Sequence, residues 1–183
     1  MAQDVVFLAS MLQFLLAATF LIIAFVAYRC GANAQRAAEA EVVKQGFPAR
    51  ILAQHSVRFE ESGVEAVLPV AIGLCLATLA SLNLAGSELG RILSWIFQSI
   101  LIIAGGLIMS RQVFPVRYLE SAFRKSGDAT LQRINVRAFV DAAQGAFPAW
   151  LRYLLAARLL LATVGSLLVI ILLAAPSANA HFG

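Results

Sequence analysis

Between Glu65 and Glu88 the chain carries no charged side chain, and Ala66 to Ser87 reads AVLPVAIGLCLATLASLNLAGS. At about 1.5 Å per helical residue, a run of this length crosses a hydrocarbon core. It predicts a membrane-spanning helix. Within it Gly73, Ala77, Ser81 and Ala85 recur every fourth residue. One face of the helix is then a column of small side chains, close enough for another helix backbone to lie against. That column is the expected helix-packing seam of the molecule.

Three further windows share the character of the first. Of the 183 residues, 61% are hydrophobic and only 13% are charged, where soluble domains average about 45–50% apolar and about 25% charged. Lipid is the expected solvent for most of such a chain. Val5 to Tyr28 lies between Asp4 and Arg29, Ile92 to Ser110 is a charge-free window of 19 residues, and Leu159 to Ala175 is charge-free behind an entrance marked by Trp150 and Tyr153. The predicted fold is all-α: a single multi-pass membrane domain over residues 1–183, with four spans at about 5–28, 66–87, 92–110 and 151–175. The opening MAQD has no Lys or Arg, and the apolar run after it exceeds the roughly 7–15 residues of a signal-peptide core, so the first window is expected to remain as a span.

Sidedness follows from the cations. Of 14 Lys and Arg residues, five lie from Arg29 to Arg58 and eight from Arg111 to Arg158, leaving Arg91 alone at the other end. By the positive-inside rule the long connections, residues 30–65 and 111–149, are cytoplasmic and both termini are external. Helix formers continue past Arg29 to about Gln45, Gly46-Phe47-Pro48 breaks the run, and Pro48 is placed to open a second helix through PARILAQHSVRFEE. Two arms of about 25 Å each predict a helical hairpin that projects from the membrane or lies flat on it. The second connection repeats this plan, with Pro115 opening one helix and Asp128 capping another. Phe-Pro recurs at Phe47, Phe114 and Phe147, an aromatic residue at the interface followed by a proline that fixes the first helical φ. Arg152 and Arg158, at the entrance of the last span, are expected to snorkel toward the headgroups. Ala178-Asn179-Ala180 imitates a cleavage site, although a disordered Ala-rich tail is the expected state of this segment.

Chemistry is sparse. No Asp, Glu, Lys, Arg or His lies in the middle of any window, which argues against ion-coupled transport or proton pumping. The two histidines, His55 and His181, fall outside the spans and do not offer paired haem ligands. GxxxxGK[ST], HExxH, CxxC and GxSxG are all missing from the sequence. No catalytic residue, metal ligand or cofactor site is therefore assigned. His55, Arg58 and Glu61 read as a solvated helix face, and Cys30 and Cys75 as packing residues too far apart in depth for a disulfide. The polar groups inside the windows are Gln13, Thr78, Gln98 and Ser166, each roughly 10–14 Å from the external end of its span. They form a possible polar layer, bonding to their own backbone or to one neighbour, or else lining a water path.

The expected function is that of a non-enzymatic integral membrane protein, a subunit or scaffold of a larger assembly. It would dock a protein partner or a second copy of itself, together with anionic lipid headgroups, through its basic cytoplasmic loops. The competing expectation is a small oligomeric pore or permease, including a phage-type lysis pore, with the glutamine layer facing a lumen. Basic residues beside apolar windows report lipid contact rather than nucleic acid. Arg outnumbers Lys twelve to two, a hint of a GC-rich bacterial source and thus of a bacterial inner membrane.

Overall fold

A computed structural model describes residues 2–60 and 63–182. Its longest element is α1, Ala2–Lys44, a single helix of 43 residues and about 65 Å. Asp4 in its first turn and Lys44 in its last suit the helix dipole. The helix ends at Gly46, which takes a φ of 85° while its N–H bonds Val43 O at 2.9 Å and that of Phe47 bonds Val42 O at 3.2 Å. These two bonds cap the last open carbonyls in a way that favours glycine.

The remaining elements are α2 (Arg50–Gln54), α3 (Gly63–Leu84), α4 (Glu88–Ile100), α5 (Gly106–Val113), α6 (Pro115–Lys125), α7 (Ala129–Gln132), α8 (Val136–Gly145), α9 (Leu151–Leu160), α10 (Ser166–Ala174) and α11 (Pro176–Phe182). All regular structure among the described residues is helical. Three helices are long and apolar enough to cross a membrane: Gln3–Lys44, Gly63–Leu84 and Leu151–Ala174. A fourth crossing exists if Glu88–Ile103 and Gly106–Val113, bent by 45°, are taken as one span. The bend lies at a π-helical segment, Leu101–Gly105, and a second such segment, Leu161–Gly165, joins α9 to α10. The two segments touch, and a Cβ added to Gly105 or Gly106 would meet Ala162 or Thr163 at 3.9 and 3.5 Å. Both distances are ordinary van der Waals contact, and each π segment shifts the face that follows it by one extra residue.

α1 is the spine of the bundle. In its apolar half it packs on α3, α9 and α10, burying Leu16, Ala17 and Phe20 with Leu76, Leu101, Met109 and Ala162. Beyond the bundle the same helix offers Ala34, Ala38 and Val42, all fully buried, to a second core made with Ile51, Leu52, Phe123, Leu131, Phe139, Val140 and Ala143. Phe139 holds Phe59 at 6.5 Å and Phe123 at 6.4 Å between ring centroids, a spacing typical of favourable aromatic pairs. Gln45 exchanges two bonds with Asn135, accepting from its N–H at 2.8 Å and donating to its carbonyl at 3.3 Å. The two long connections thus form one cap around the end of α1.

This cap replaces the expected hairpin of equal arms. The helix opened by Pro48 stops at Gln54, and Ser56 turns the chain with a φ of 56°. The chain then runs without regular structure through Val57–Glu60. Val57 and Phe59 face the cap core while Arg58 and Glu60 are exposed. That alternation is the period of an extended chain rather than a helix. Gln35 of α1 accepts the N–H of Phe59 at 2.8 Å and so fixes the strap in place. Glu61, the remaining member of the His55 group, lies outside the described residues.

At the opposite end the segment expected to be a disordered tail is a helix. Pro176 opens α11, Ala178 is fully buried, and Phe182 packs on the cluster formed by Ala9, Val169 and Leu173. Arg91 holds it from α4, donating to Asn179 Oδ1 at 2.9 Å and lying 5.1 Å from the centres of both the Trp95 and Phe182 rings. Ala178 and Asn179, within the sequence that imitates a cleavage site, are therefore part of a packed helix.

Candidate functional site

The polar side chains of the bundle meet beneath α11. Ser10 and Gln13 lie three apart on α1 and Ser94 and Gln98 four apart on α4, so each pair shares one helix face. Asn83 approaches from the end of α3. All five are fully buried. Gln13 Nε2 donates to Ser94 Oγ at 3.0 Å, and Asn83 Nδ2 donates to Gln13 Oε1 at 2.9 Å and to Ser94 Oγ at 2.8 Å. A closed triangle of bonds therefore joins α1, α3 and α4. The Asn83 carbonyl accepts from Gly86 N at 3.1 Å, and His181 Nε2 lies 3.1 Å from the same oxygen. A carbonyl can only accept, so His181 carries its proton on Nε2 and ties α11 to the triangle.

Of the four residues expected in a layer, only Gln13 joins the triangle. Gln98 is buried one turn along α4 from Ser94, and among the described residues neither of its amide atoms has a hydrogen-bond partner; Ser10 Oγ is likewise without one. Ser166 is buried and donates to Leu161 O at 3.4 Å across the second π segment. Thr78 is exposed and bonds Leu74 O of its own helix at 2.9 Å.

The small-residue column divides in a similar way. Gly73 is buried, where an added Cβ would lie 3.0 Å from the Leu21 side chain and 3.2 Å from Ala17 O. Ala77 is half-buried, and Ser81 and Ala85 are exposed. At 100° per residue a step of four advances the face by about 40°, so three steps carry Ala85 about 120° round from Gly73. The buried face is instead Gly73, Leu76, Ala80 and Asn83, whose alternating steps of three and four stay against a neighbouring helix.

At the cap end Arg158 is only 4% exposed. Its guanidinium lies 5.3 Å from the Phe20 ring centre and donates to Gln112 Oε1, so it turns inward instead of snorkelling. Gln112 supplies what the solvent would otherwise provide, a carbonyl acceptor at the edge of the bundle. His55 is exposed at the end of α2, and Arg58 pairs with Glu65 at 3.6 Å. Asp128 caps α7: the N–H of Thr130 donates to Oδ1 at 2.7 Å and holds the Asp128 carboxyl below the ordinary carboxylate range. Cys30 and Cys75 are free thiols. Among the described residues no three His, Cys, Asp or Glu side chains gather where they could hold a metal ion.

Sequence reasoning missed Asn83, Ser94 and the Arg158–Gln112 pair. Asn83 stands near the end of its window, where counting depth places it at a surface; α11 is what covers it. A signal was present in the spacing, because Asn83 continues the three-and-four series from Gly73. No family model, curated protein or solved structure matches the chain.

Proposed function

We propose that this protein is a non-enzymatic scaffold or subunit of a membrane assembly, lying in the inner membrane of a bacterium with four spans and both termini external. Its cap projects into the cytoplasm and presents a basic surface to a protein partner. The observation that carries this reading is the cap itself: both long connections are committed to one folded body on the end of the central span. A rigid body fixed to a transmembrane helix offers a partner a pre-ordered surface, which lowers the entropy lost on docking. The charge is unevenly shared. Residues 29–65 hold five Lys or Arg and five Asp or Glu, whereas residues 111–158 hold eight and three. Arg117, Arg124, Lys125, Arg133 and Arg137 are exposed on α6, on α8 and between them, and none is in an ion pair among the described residues. An acidic protein surface is the matching partner chemistry.

The buried triangle supports packing rather than conduction. A pore along the glutamine layer needs Gln13 and Gln98 to face a lumen, but both are fully buried and Gln13 is bonded to two neighbouring helices. The test is co-purification of the full chain from its native membrane in mild detergent, followed by identification and stoichiometry of what accompanies it. A discrete partner, lost when Arg124, Lys125, Arg133 and Arg137 are changed together to Gln, is the expected result. A chain that elutes alone under all extraction conditions and releases solute from liposomes contradicts the scaffold reading and favours the pore.

A further inference from the structure

Where the cap meets the bundle there is a cavity of about 600 Å³, within the range of about 300–1,000 Å³ that holds small ligands. Its lining includes Ile23 and Ala27 of α1 and Leu155 of α9, all apolar and on candidate spanning helices. It also includes three cations, Arg58, Arg111 and Arg152, and among the described residues no Asp or Glu lines it. Arg58 shares its charge with Glu65, outside the lining, at 3.6 Å. Among the described residues Arg111 and Arg152 have no such carboxylate: the first lies 4.9 Å from the Tyr118 ring centre, and the second lies 4.6 Å from that of Tyr153 while donating to its hydroxyl at 2.6 Å. Aromatic rings orient both guanidinium planes and leave several N–H groups on each for another acceptor.

We propose that this cavity is a specific site for an anionic phospholipid, its phosphate held by Arg111 and Arg152 and the first part of an acyl chain lying along Ile23, Ala27 and Leu155. The proposal rests on the bilayer placement argued above and goes beyond it by assigning a ligand to named residues. The level of the cavity supports a lipid over a soluble anion. Trp150 and Tyr153, 49% and 63% exposed beside it, are suited to the headgroup region, and Ile23 and Ala27 occupy the last apolar turns of α1 before Arg29. Along α9 Arg152 precedes Leu155 by about one turn, the headgroup-to-chain order of a lipid that enters sideways from the membrane. Basic pockets between helices at a membrane surface recognise such headgroups through charge-assisted, often bidentate, arginine contacts.

The test is native mass spectrometry of the full detergent-extracted chain, titrated separately with phosphatidylglycerol, phosphatidylcholine and glycerol 3-phosphate. One phosphatidylglycerol is expected to stay bound, with the other two probes retained far less. Arg111→Gln together with Arg152→Gln should weaken its retention by about twenty-fivefold, from about fivefold per arginine contact. Leu155→Trp, which fills the cavity and leaves every charge in place, should also abolish the preference. Arg124→Gln with Lys125→Gln, on the exposed end of α6, should leave it unchanged. Equal retention of phosphatidylcholine, equal loss in the α6 control, or tighter holding of glycerol 3-phosphate than of the lipid overturns the site while the bilayer placement stands. A chain that stays folded in buffer without detergent overturns both.

Discussion

Gln13 and Gln98 have the same side chain and the same burial, and the structure gives them opposite energetic roles. Gln13 holds two of the three bonds of the triangle. Replacing it with Leu leaves the buried Asn83 amide and the Ser94 hydroxyl short of partners, and should cost about 1–2 kcal/mol, within the range for interhelical bonds in membranes and for orphaned polar groups. Gln98→Leu removes an amide that has no partner among the described residues, and should be neutral or stabilising. Reversible unfolding of both variants in mixed micelles separates them: the first midpoint falls and the second does not. Asp128 gives a pH dependence at the same scale. Its folded carboxyl is shifted downward, chiefly by the Thr130 N–H, so its contribution to stability is complete above the ordinary carboxylate pKa and disappears as pH falls through the lower, folded value. The thermal midpoint of the wild type should fall in that acid window more steeply than that of Asp128→Ala. Gln13 was legible as a polar residue in an apolar window. Its partners were not, because Asn83 and Ser94 are brought to it only by the α3–α4 turn and by the covering helix α11.

Among the elements, α1 shows best how much a sequence declares. Its apolar half and its Ala-, Gln-, Arg- and Glu-rich continuation both read as helix, and Gly46-Phe47-Pro48 reads as its end. What the continuation packs on was hidden, since Ala34 and Ala38 in a polar run look like helix formers rather than core. Val42→Asp places a charge in the fully buried face of the cap and should cost about 3 kcal/mol or more there. Limited proteolysis of reconstituted protein should then release fragments from residues 45–60 and 115–147 while the spanning helices stay protected. α2 and the strap after it depart from the single expected helix for a local reason. Ile51 and Leu52 follow a helix, Val57 and Phe59 follow an extended chain, and a single helical pattern drawn through all four fits neither. The bend between α4 and α5 had only the Gly105-Gly106 pair to announce it.

At the scale of the whole molecule two cores of different chemistry share one helix. The bundle core, with Leu16, Phe20 and Leu76, is lined outside by exposed apolar residues such as Phe25, Leu68, Ile103 and Leu167, the surface expected of helices that meet lipid chains. The cap core, with Phe139, Leu131 and Val140, has exposed charged residues such as Arg124, Arg133 and Arg137 around it, the surface expected of a body stabilised by burial from water. Composition made the first evident and obscured the second, because averages over a mostly apolar chain conceal a small body with a charged surface within it. Docking through the cap requires it to stay folded against α1 when the spans are in a bilayer. Hydrogen exchange of the full chain in lipid nanodiscs measures this directly. Slow exchange should run without interruption through α1 to Lys44 and include α8, Val136–Gly145, as well as the spans, with fast exchange confined to the turns. Exchange across residues 34–44 and 136–145 at the rate of an unstructured peptide, with the spans still protected, would contradict it.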